Sequence, residues 1–348
     1  MTRVPNSVLS TELAGTPARG SIPTVMSADI AVLYEHPEWQ KPLFAALERR
    51  GVRYAAVDLK HAMFAADDPP LAPLYFNQAS PSAYVRGNTR AVPYALAYMR
   101  ALEIRGVRVL NGSAAFALEL SKTAQAALLR ELDIPAPRTW TFNDLGALRA
   151  RADEIPFPVL LKPEQGGSGA RIVMVEAYEP LEALLAQQPE HWLPDNLLLL
   201  QEYIPSDPAR GIVRMEFLGG ELLYAMRVVS HGRFNLCPSP VCNPDDGAGV
   251  CEVPSEAPPV EFYAYREVPA QAVAWGKRIM AAGKLDVGGI EYLEAADGRL
   301  VFYDVNANSN LRPSIAAEFG FDPFERVVDF LVRERKRTHA AEDERAFA

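Results

Sequence analysis

Apolar runs alternate with helical patterns through the first 110 residues of the chain. The run Ile30–Tyr34 is apolar throughout, and the stretch after it places Leu43 and Leu47 on one helical face. Further strand-like runs follow at residues 52–57, 74–76 and 107–110. Strands that alternate with helices are typical of a parallel sheet with crossover helices. We therefore expect an α/β unit at the start of the chain.

The rest of the chain has a different pattern. Residues 134–139 contain two prolines and are expected to be extended, because the residue before a proline avoids the helical region. From about Pro158 onward most segments are strand-like, and there is neither an internal repeat nor a heptad pattern. The predicted fold class is therefore α/β at the start and α+β in the C-terminal part.

Composition and charge exclude several classes of protein. With 49% hydrophobic and 23% charged residues over 348 positions, the chain is expected to fold around real cores. No run approaches the roughly 18 apolar residues of a membrane span, so no membrane association is expected. The formal charge of −9, from 35 basic and 44 acidic residues, argues against a nucleic-acid partner.

Cysteine usage bears on the cellular compartment. An odd, low number of cysteines, three in all, favours a reducing environment over a disulfide framework: Cys237, Cys242 and Cys251. A zinc site is the alternative, although the spacing is not Cys-x-x-Cys and no histidine follows within ligand range. Because residues 1–26 also lack the apolar stretch of a signal peptide, we expect a cytoplasmic protein.

A lysine followed by a glycine-rich loop is the first segment that suggests chemistry. The apolar strand that begins at Pro158 carries Lys162 near its end, and a second strand-like run begins at Ile172. The loop between them contains Gly166, Gly167, Ser168 and Gly169. A Walker loop and a dinucleotide fingerprint both need a following helix, which is missing here. We expect a β-hairpin whose tip offers backbone N–H groups to phosphate oxygens, with Lys162 pointing inward. An ordinary hairpin with an edge lysine is the alternative.

A second segment changes abruptly from apolar to polar. Four leucines at 197–200 predict a strand buried on both faces. The polar exit that follows consists of Gln201, Glu202, Tyr203 and Ile204. Backbone groups at such an exit suit the edge of an adenine, although a buried strand with a polar end is also common by itself.

The third segment is a hairpin that brings acidic residues together. Asp297 and Gly298 form the preferred centre of a two-residue turn. That turn sets Glu291 directly opposite Asp304, about 5 Å away on one face, and Asn306 shares this face.

Two facing carboxylates repel each other, and a divalent cation removes that penalty. Three hard oxygen donors suit magnesium, so Glu291, Asp304 and Asn306 are predicted metal ligands. A solvated polar face is the competing interpretation. It is weakened because Phe302 and Leu293 are expected on the same face as the carboxylates.

Together the three segments predict a site for a nucleotide, its phosphates and magnesium, and they resemble the motifs of the ATP-grasp superfamily. The likeness is to the RimK-like ligases, which join a carboxylate to an amine. It covers roughly residues 28–331, although the first hundred residues match only in architecture. The order and spacing of the motifs carry the resemblance.

The resemblance implies a role for each motif. The residues expected to bind ATP are Lys122, Lys162, Gly166, Gly167, Ser168, Gly169, Gln201, Glu202, Tyr203, Ile204 and Asn235. The metal ligands are again Glu291, Asp304 and Asn306. Residues expected to act on the transferring phosphoryl group are Arg233, Arg227 and Lys162. Candidate substrate-binding residues are Arg86, Asn310 and Arg312.

The chain also departs from the family pattern. Asp304 stands where glutamate is usual, and residues 306–311 replace an Asn-x-Ser-Pro-Gly run. Ile212 stands where RimK-like sequences often carry an aspartate two residues before an arginine, here Arg214. The expected ribose contact therefore moves to Glu202 or Asp207.

The resemblance also implies an architecture, an ATP-grasp fold with an N-terminal parallel-sheet pre-ATP-grasp domain. The glycine-rich hairpin belongs to a central subdomain and the metal site to a C-terminal one. The expected boundaries, from a flexible start to a charged tail, are 1–27, 28–111, 112–200, 201–335 and 336–348.

The implied activity is ATP-dependent ligation. A carboxylate and an amine, each on a small molecule or a peptide, are joined through an acyl phosphate, with release of ADP and phosphate. ATP and Mg²⁺ are the expected cofactors, with Mn²⁺ as a substitute, and assembly into a homodimer or homotetramer stays open. Two alternatives remain, a small-molecule kinase on the same fold and a non-catalytic nucleotide-binding interaction module.

Overall fold

The computed structural model describes residues 28–167, 169–232, 234, 260–309 and 311–346, with side chains up to residue 339. The N-terminal segment 1–27 and the three cysteines lie outside the described residues. So do four predicted site residues, Ser168, Arg233, Asn235 and Asn310. None of the described helices is long and apolar enough to cross a membrane.

A four-stranded parallel sheet forms the N-terminal unit, as the alternating pattern predicts. Its strands are β1 (Ile30–Tyr34), β2 (Tyr54–Asp58), β3 (Leu74–Gln78) and β4 (Arg108–Leu110). Their spatial order is β2-β1-β3-β4, and each pairing is parallel. The connections include α1 (Pro37–Arg49), a 3₁₀ turn (Pro81–Arg86) and α2 (Ala91–Ile104).

Side chains of the N-terminal sheet enter two cores. On one face Ala31 and Leu33 pack against α2. On the other face Ile30 and Val32 pack against α1 and against Leu331, which belongs to the last helix of the chain. The C-terminal helix therefore completes the core of the first sheet.

A second, antiparallel sheet forms the central unit. Its strands are β5 (Thr139–Phe142), β6 (Val159–Pro163), β7 (Val173–Val175) and β8 (Leu198–Glu202), in the order β5-β8-β6-β7. The helices of this part are α3 (Ser113–Glu119), α4 (Lys122–Glu131), α5 (Leu145–Arg149) and α6 (Tyr178–Gln187). Leu198, Leu199 and Leu200 are all fully buried, which confirms the predicted strand with two buried faces.

A third sheet, also antiparallel, forms the C-terminal unit. Its strands are β9 (Ile212–Leu218), β10 (Glu221–Val229), β11 (Glu261–Ala264), β12 (Val287–Glu294) and β13 (Leu300–Asn306). Their order is β11-β10-β9-β12-β13. The helices are α7 (Ala270–Ala282), α8 (Pro313–Glu318) and α9 (Pro323–Ala346). Residues 336–346, expected as a charged tail, continue α9. The predicted fold class is confirmed.

The turn between β12 and β13 differs from the prediction. Asp297 and Gly298 are not a two-residue turn, because the backbone N–H of Ala295 donates to the carbonyl of Arg299 at 2.9 Å. Three residues lie between this pair, and Glu294 consequently faces Leu300. The pairing next to the turn is shifted by one residue from the predicted register.

A β-bulge restores the register further along the hairpin. Tyr292 pairs with Phe302 while Glu291 pairs with Asp304, so Tyr303 is an extra residue in β13. The extra residue also breaks the alternation of faces. Phe302 is fully buried in the core with Tyr292, and its predicted place beside the carboxylates is wrong. Tyr303 takes that place.

Candidate active site

A cavity of about 310 Å³ lies between the central and C-terminal sheets. One wall comes from β6, β7 and β8, and the opposite wall from β9, β12 and β13. Apolar side chains contribute a large part of the lining, including Leu160, Ile172, Met174, Ile212 and Leu293. Charged groups gather at one end, where they include Lys122, Lys162, Glu291 and Asp304. The cavity thus has an apolar part and an ionic end.

Lys162 reaches the ionic end from β6. Its side chain shares the cavity wall with Leu160, is 5% exposed and donates to Oε1 of Gln201 at 2.5 Å. The ring of Tyr303 lies 5.5 Å from the ammonium group. Burial, together with the positive charge of Lys122, lowers the pKa of Lys162 to about 8. An anion beside this group would relieve the cost of its burial.

Lys122 reaches the same place from the first position of α4. Ser121 caps this helix by accepting from the backbone N–H of Ala124 at 3.0 Å. From this position, Nζ of Lys122 lies 3.8 Å from Oδ1 of Asp304. The cap therefore fixes the position from which the lysine extends towards the acidic residues.

Glu164 joins the start of α4 to the glycine-rich loop. Its carboxylate accepts from the hydroxyl of Ser121 at 2.5 Å and from the hydroxyl of Thr123 at 2.9 Å. The backbone N–H of Thr123 also donates to it, at 3.1 Å. A carboxylate at a helix N-terminus is favourable because the N–H groups there are unpaired. Glu164 and Thr123 are 41 residues apart in the sequence, and local patterns do not predict this contact.

Glu291, Asp304 and Asn306 lie together across the β12–β13 pair. Oε2 of Glu291 accepts from the hydroxyl of Tyr303 at 3.0 Å, and Nδ2 of Asn306 donates to Oδ2 of Asp304 at 2.8 Å. Burial and the neighbouring charge of Asp304 raise the pKa of Glu291. Two carboxylates this close in a buried place are more favourable beside a cation.

A divalent cation fits this group of donors. The three side chains offer carboxylate and amide oxygens, which are the ligands that Mg²⁺ and Mn²⁺ prefer. A doubly charged ion would lower the pKa that burial and repulsion have raised in Glu291. The donor set therefore agrees with the predicted metal.

Arg214 is a buried residue of the site to which the sequence assigned no role. It faces Glu291 across the β9–β12 pair, and its Nη1 donates to Oε1 of Glu291 at 2.8 Å. Its Nε donates to Oε1 of Glu216 at 2.6 Å, and Glu216 also accepts from the hydroxyl of Ser309. A Cβ at Gly289 would lie 2.1 Å from Nη2 of Arg214, so only glycine leaves room for the guanidinium.

Apolar and charged residues alternate along β9, and this pattern could have identified Arg214 as a residue on the face opposite to the core. Val213, Met215 and Phe217 are buried in one core, which places Arg214 and Glu216 on the other face. That β9 pairs with β12 is a tertiary fact, and it is this pairing that brings Arg214 to the predicted metal ligand.

The predicted adenine-binding segment begins beside the ionic end, where Gln201 accepts from Lys162, and continues along the cavity wall. Gln201, Glu202, Tyr203 and Ile204 all contribute to the lining. Glu202 is held by Arg138, the residue before β5, because its backbone N–H donates to the carbonyl of Arg138 at 2.9 Å and its Oε2 accepts from the N–H of Arg138 at 3.1 Å. Asp207, the other ribose candidate, also lines the cavity. Its side chain accepts from the backbone N–H of Ala209, two residues further along the chain.

The glycine-rich loop packs against the N-terminal unit. Gly166, Gly167 and Gly169 line the cavity. A Cβ at Gly167 would lie 2.7 Å from Cβ of Ser82 in the Pro81–Arg86 turn. The guanidinium of Arg171 lies over the ring of Tyr84, 5.3 Å from its centre. The loop is therefore in contact with the first sheet as well as with the cavity.

Two predicted site residues are directed elsewhere. Arg227, predicted to act in catalysis, pairs with Glu294 at 2.8 Å and lies over the ring of Tyr265 at 4.3 Å. It is absent from the described linings of both large cavities, because its place in β10 is on the face opposite to Met226 and Val228. The described structure therefore does not bring Arg227 to either cavity, and its catalytic role stays a prediction.

The second such residue is Arg86, which was predicted to bind substrate. Both of its side-chain partners are internal, since it pairs with the buried Glu35 at 2.5 Å and donates to Ser82 at 2.9 Å. Its guanidinium also supports Trp39, 4.6 Å from the ring centre. In the described structure Arg86 supports the wall of a second cavity through these partners, and the substrate contact stays a prediction.

A second cavity, of about 180 Å³, adjoins the first. The two share Gly167, Gly169, Glu291 and Asp304 as lining residues. The remaining wall comes from the N-terminal unit and from the segment after β13, and includes Arg312, the third substrate candidate. The ionic end of the first cavity is therefore the junction between the two.

Comparisons with known proteins address the fold. The sequence matches no family model. It is 35% identical over 140 residues to the carbamoyl phosphate synthase large chain of Streptomyces coelicolor, covering 39% of this chain and 12% of that one. It is 27% identical over 212 residues to the D-alanine–D-alanine ligase of Alkalilimnicola ehrlichii, covering 61% and 62%. The chain thus spans less than two thirds of the length of these curated relatives.

Solved structures resemble nearly the whole described chain. A RimK domain ATP-grasp protein from Sphaerobacter thermophilus superposes with a TM-score of 0.64 at 21% identity, covering 87% of this chain and 99% of that one. The resemblance that the sequence motifs indicated is confirmed at the level of the fold.

Proposed function

We propose that this chain, which has the ATP-grasp fold, is an ATP-dependent ligase that joins a carboxylate to an amine. The single observation that carries the proposal is the junction of the two cavities. There two lysines and two carboxylates converge at the point where a nucleotide in the first cavity would meet a substrate in the second. The curated relative from Alkalilimnicola ehrlichii, named a D-alanine–D-alanine ligase, supports this class of reaction.

The reaction has two steps. A carboxylate oxygen of the first substrate attacks the γ-phosphorus of ATP, the bond to the β–γ bridging oxygen breaks, and ADP leaves. The nitrogen of the amine then attacks the carbonyl carbon of the acyl phosphate. A C–N bond forms, phosphate leaves with the C–O bond electrons, and the nitrogen loses its extra protons. The products are an amide, ADP and phosphate.

The chain's own residues supply position and charge. The apolar part of the first cavity holds the adenine, and residues 201–204 lie along its edge. Lys162 and Lys122 neutralise the phosphates, which favours phosphoryl transfer because that reaction depends mainly on positioning and electrostatics. The glycine-rich loop covers the phosphates with backbone N–H groups and limits the entry of water.

Glu291, Asp304 and Asn306 would hold Mg²⁺ or Mn²⁺. When bound, such an ion neutralises phosphate oxygens as charge develops. Arg214 keeps Glu291 in place through the 2.8 Å hydrogen bond and Tyr303 fixes its other oxygen at 3.0 Å. Arg214 and Tyr303 therefore orient the carboxylate of Glu291, which the neighbouring charge of Asp304 would otherwise repel.

The test is a product analysis. Purified protein is incubated with ATP, Mg²⁺ and pairs of carboxylates and amines, and release of ADP is followed together with the mass of the organic product. A ligase releases ADP only when both substrates are present, and the product is an amide. A stable phosphoester formed without an amine indicates the kinase. Nucleotide binding with no turnover for any pair indicates the binding module, and either of these results overturns the proposal.

A further inference from the structure

The second cavity contains two charged side chains that the reaction described so far does not use. One is Glu119, at the end of α3, and the other is Arg312, after β13. They approach the cavity from different parts of the chain. Both are lining residues of a space of about 180 Å³, the size of a small molecule.

Glu119 is a buried carboxyl group with a free oxygen. The side chain is 5% exposed, and the backbone N–H of Asn308 donates a hydrogen bond to it. Its Oε2 has no partner in that part of the chain. It also lies at a helix C-terminus, where the helix dipole disfavours a negative charge. An unpaired buried carboxylate is costly, so its place favours a cation or a donor beyond those that the described residues provide.

Arg312 is the opposite case. Its guanidinium lies over the ring of Phe262, 3.3 Å from the centre, and its buried Nε has no hydrogen-bond partner among the described residues. Burial and the positive charge of Arg214 lower the pKa of Arg312 to about 10. Among the described residues this cation has a flat aromatic support and no carboxylate in a salt bridge with it, and an anion would supply that partner.

The two groups differ in their distance from the reacting centre. Glu119 interacts electrostatically with Asp304 and Lys122, which both line the first cavity. Arg312 lies instead over Phe262, and both residues line the second cavity and not the first. The carboxyl group is therefore close to two residues of the first cavity, and the guanidinium belongs to a wall of the second cavity that the first does not share.

We propose that the second cavity binds the amine substrate and that this substrate is a free amino acid, with its ammonium group on Glu119 and its carboxylate on Arg312. This inference rests on the proposed function, because the ligase reaction requires the amine nitrogen to face the acyl phosphate. In this orientation the nitrogen points to the junction, where the acyl phosphate forms. Trp39, Met226 and Leu311 in the cavity wall are left to contact the amino-acid side chain.

Blocked ligands test the two ends of the site separately. Binding to the full chain is measured by calorimetry, without nucleotide, for D and L forms of alanine, leucine and phenylalanine. Each is compared with its N-acetyl derivative, which lacks the ammonium, and with its amide, which lacks the carboxylate. At least one free amino acid is expected to bind. Each blocked form of it should bind at least about tenfold more weakly, or about 1.4 kcal/mol.

Two variants assign the discrimination to residues. Glu119→Gln keeps the shape of the side chain and should abolish the preference for the free amine over the N-acetyl form, while ATP affinity stays unchanged. Arg312→Met should abolish the preference for the free acid over the amide. Glu103→Gln is the matched control, because Glu103 holds the other end of α3 through Ser113 and lies outside the cavity lining. It should preserve both preferences.

The outcomes separate this site from the proposed function. Equal binding of free and N-acetyl forms, or discrimination that survives Glu119→Gln, overturns the site. So does a failure of the whole panel to bind at millimolar concentration, even if other acids and amines are ligated. If free amino acids bind as described but no ATP-dependent amide appears, the site stands and the ligase fails. If a variant does not fold, the comparison of free and blocked amino acids on the wild-type protein still tests the site.

Discussion

The ionic end of the first cavity is an arrangement of charges that are individually unfavourable. Lys162 and Lys122 repel each other, and so do Glu291 and Asp304. Neither pair is balanced by exposure to water, since Lys162 and Glu291 are about 5% and 6% exposed. Such buried, mutually perturbed groups are common at functional sites because a ligand completes their neutralisation.

Removing the buried lysine tests its part in nucleotide binding. Lys162→Met should weaken ATP binding at least tenfold and nearly abolish turnover, because the phosphates lose a desolvated cation. Isothermal calorimetry with ATP and Mg²⁺ measures the first effect. Arg227→Met is the control, since Arg227 pairs with Glu294 away from the cavity, and it should keep its ATP affinity. Equal affinities for the wild type and Lys162→Met would remove Lys162 from the site.

The same lysine predicts a pH dependence of stability. Its pKa is lowered to about 8 in the folded protein, so from about pH 8 to pH 10 the folded state has released a proton that the unfolded state retains. Stability of the wild type should therefore rise through this window, relative to Lys162→Met, by up to about 1.4 kcal/mol per pH unit. Below about pH 8 the difference should be constant. Denaturant unfolding at several pH values, on the ligand-free proteins, gives the comparison, and a flat difference would contradict the lowered pKa.

The acidic pair predicts a variant that gains stability while it loses activity. Asp304→Asn removes one of two repelling charges, so the ligand-free protein should be as stable as the wild type or slightly more so. Metal-dependent turnover should be lost, since an amide is a poorer ligand than a carboxylate. A thermal melt without metal and a phosphate-release assay across Mg²⁺ concentrations are the measurements. A wild-type Mg²⁺ profile would place the metal elsewhere.

At the scale of elements, the β12–β13 hairpin shows what the sequence determines. The predicted opposition of Glu291 and Asp304 is present, although the turn has three residues instead of two. The bulge at Tyr303 compensates for the longer turn. Local residue preferences predicted the strands and the approximate turn. They did not predict the bulge, which depends on packing Phe302 against Tyr292 in the core.

The positions of Arg227 and Arg214 show a second limit of what the sequence predicts. The motif order located Lys162, Lys122 and the acidic face, because each follows a local pattern of strand or helix. Whether Arg227 or Arg214 reaches the cavity depends on which faces of β9 and β10 point inward. That is decided by the pairing of β9 with β12, whose paired positions lie 69 to 81 residues apart in the sequence, and local patterns do not contain this pairing.

The contact of the glycine-rich loop with the N-terminal unit predicts a steric variant. In Gly167→Ala the new methyl group would lie 2.7 Å from Cβ of Ser82, so the loop should no longer dock. Hydrogen exchange of residues 164–171 should rise and ATP affinity should fall. Adding Ser82→Gly removes the opposing atom and should restore part of both. If Gly167→Ala alone leaves exchange and affinity unchanged, the docked loop has no part in binding.

At the scale of the whole molecule, the first sheet and the last helix share one core. Leu331 of α9 is fully buried against the face of the N-terminal sheet that also contains Ile30 and Val32. Arg49 and Arg50 of α1 reinforce this contact by pairing with acidic residues of α9, Glu325 and Asp329. The unit at residues 28–111 therefore does not complete its own core.

This shared core predicts a long-range effect of a single substitution. Leu331→Ala should cost about 2–5 kcal/mol, as for other fully buried leucines, and should lower hydrogen-exchange protection in β1 and β3. Leu185→Ala, in the core of the central sheet, is the matched control and should lower protection there first. Loss of protection limited to α9 in Leu331→Ala would show that the N-terminal sheet is stable without that helix.

The position of α9 also has a consequence for how the protein forms on the ribosome. Domains generally fold in the order in which they are made, at about 5–20 residues per second. Here the strands β1 to β4 emerge first, but the helix that covers one of their faces is made about 220 residues later, after a delay of roughly 10–45 s at that rate. Throughout that time the growing chain presents an apolar sheet surface. We therefore expect that newly made chains stay bound to a chaperone until the last helix is released.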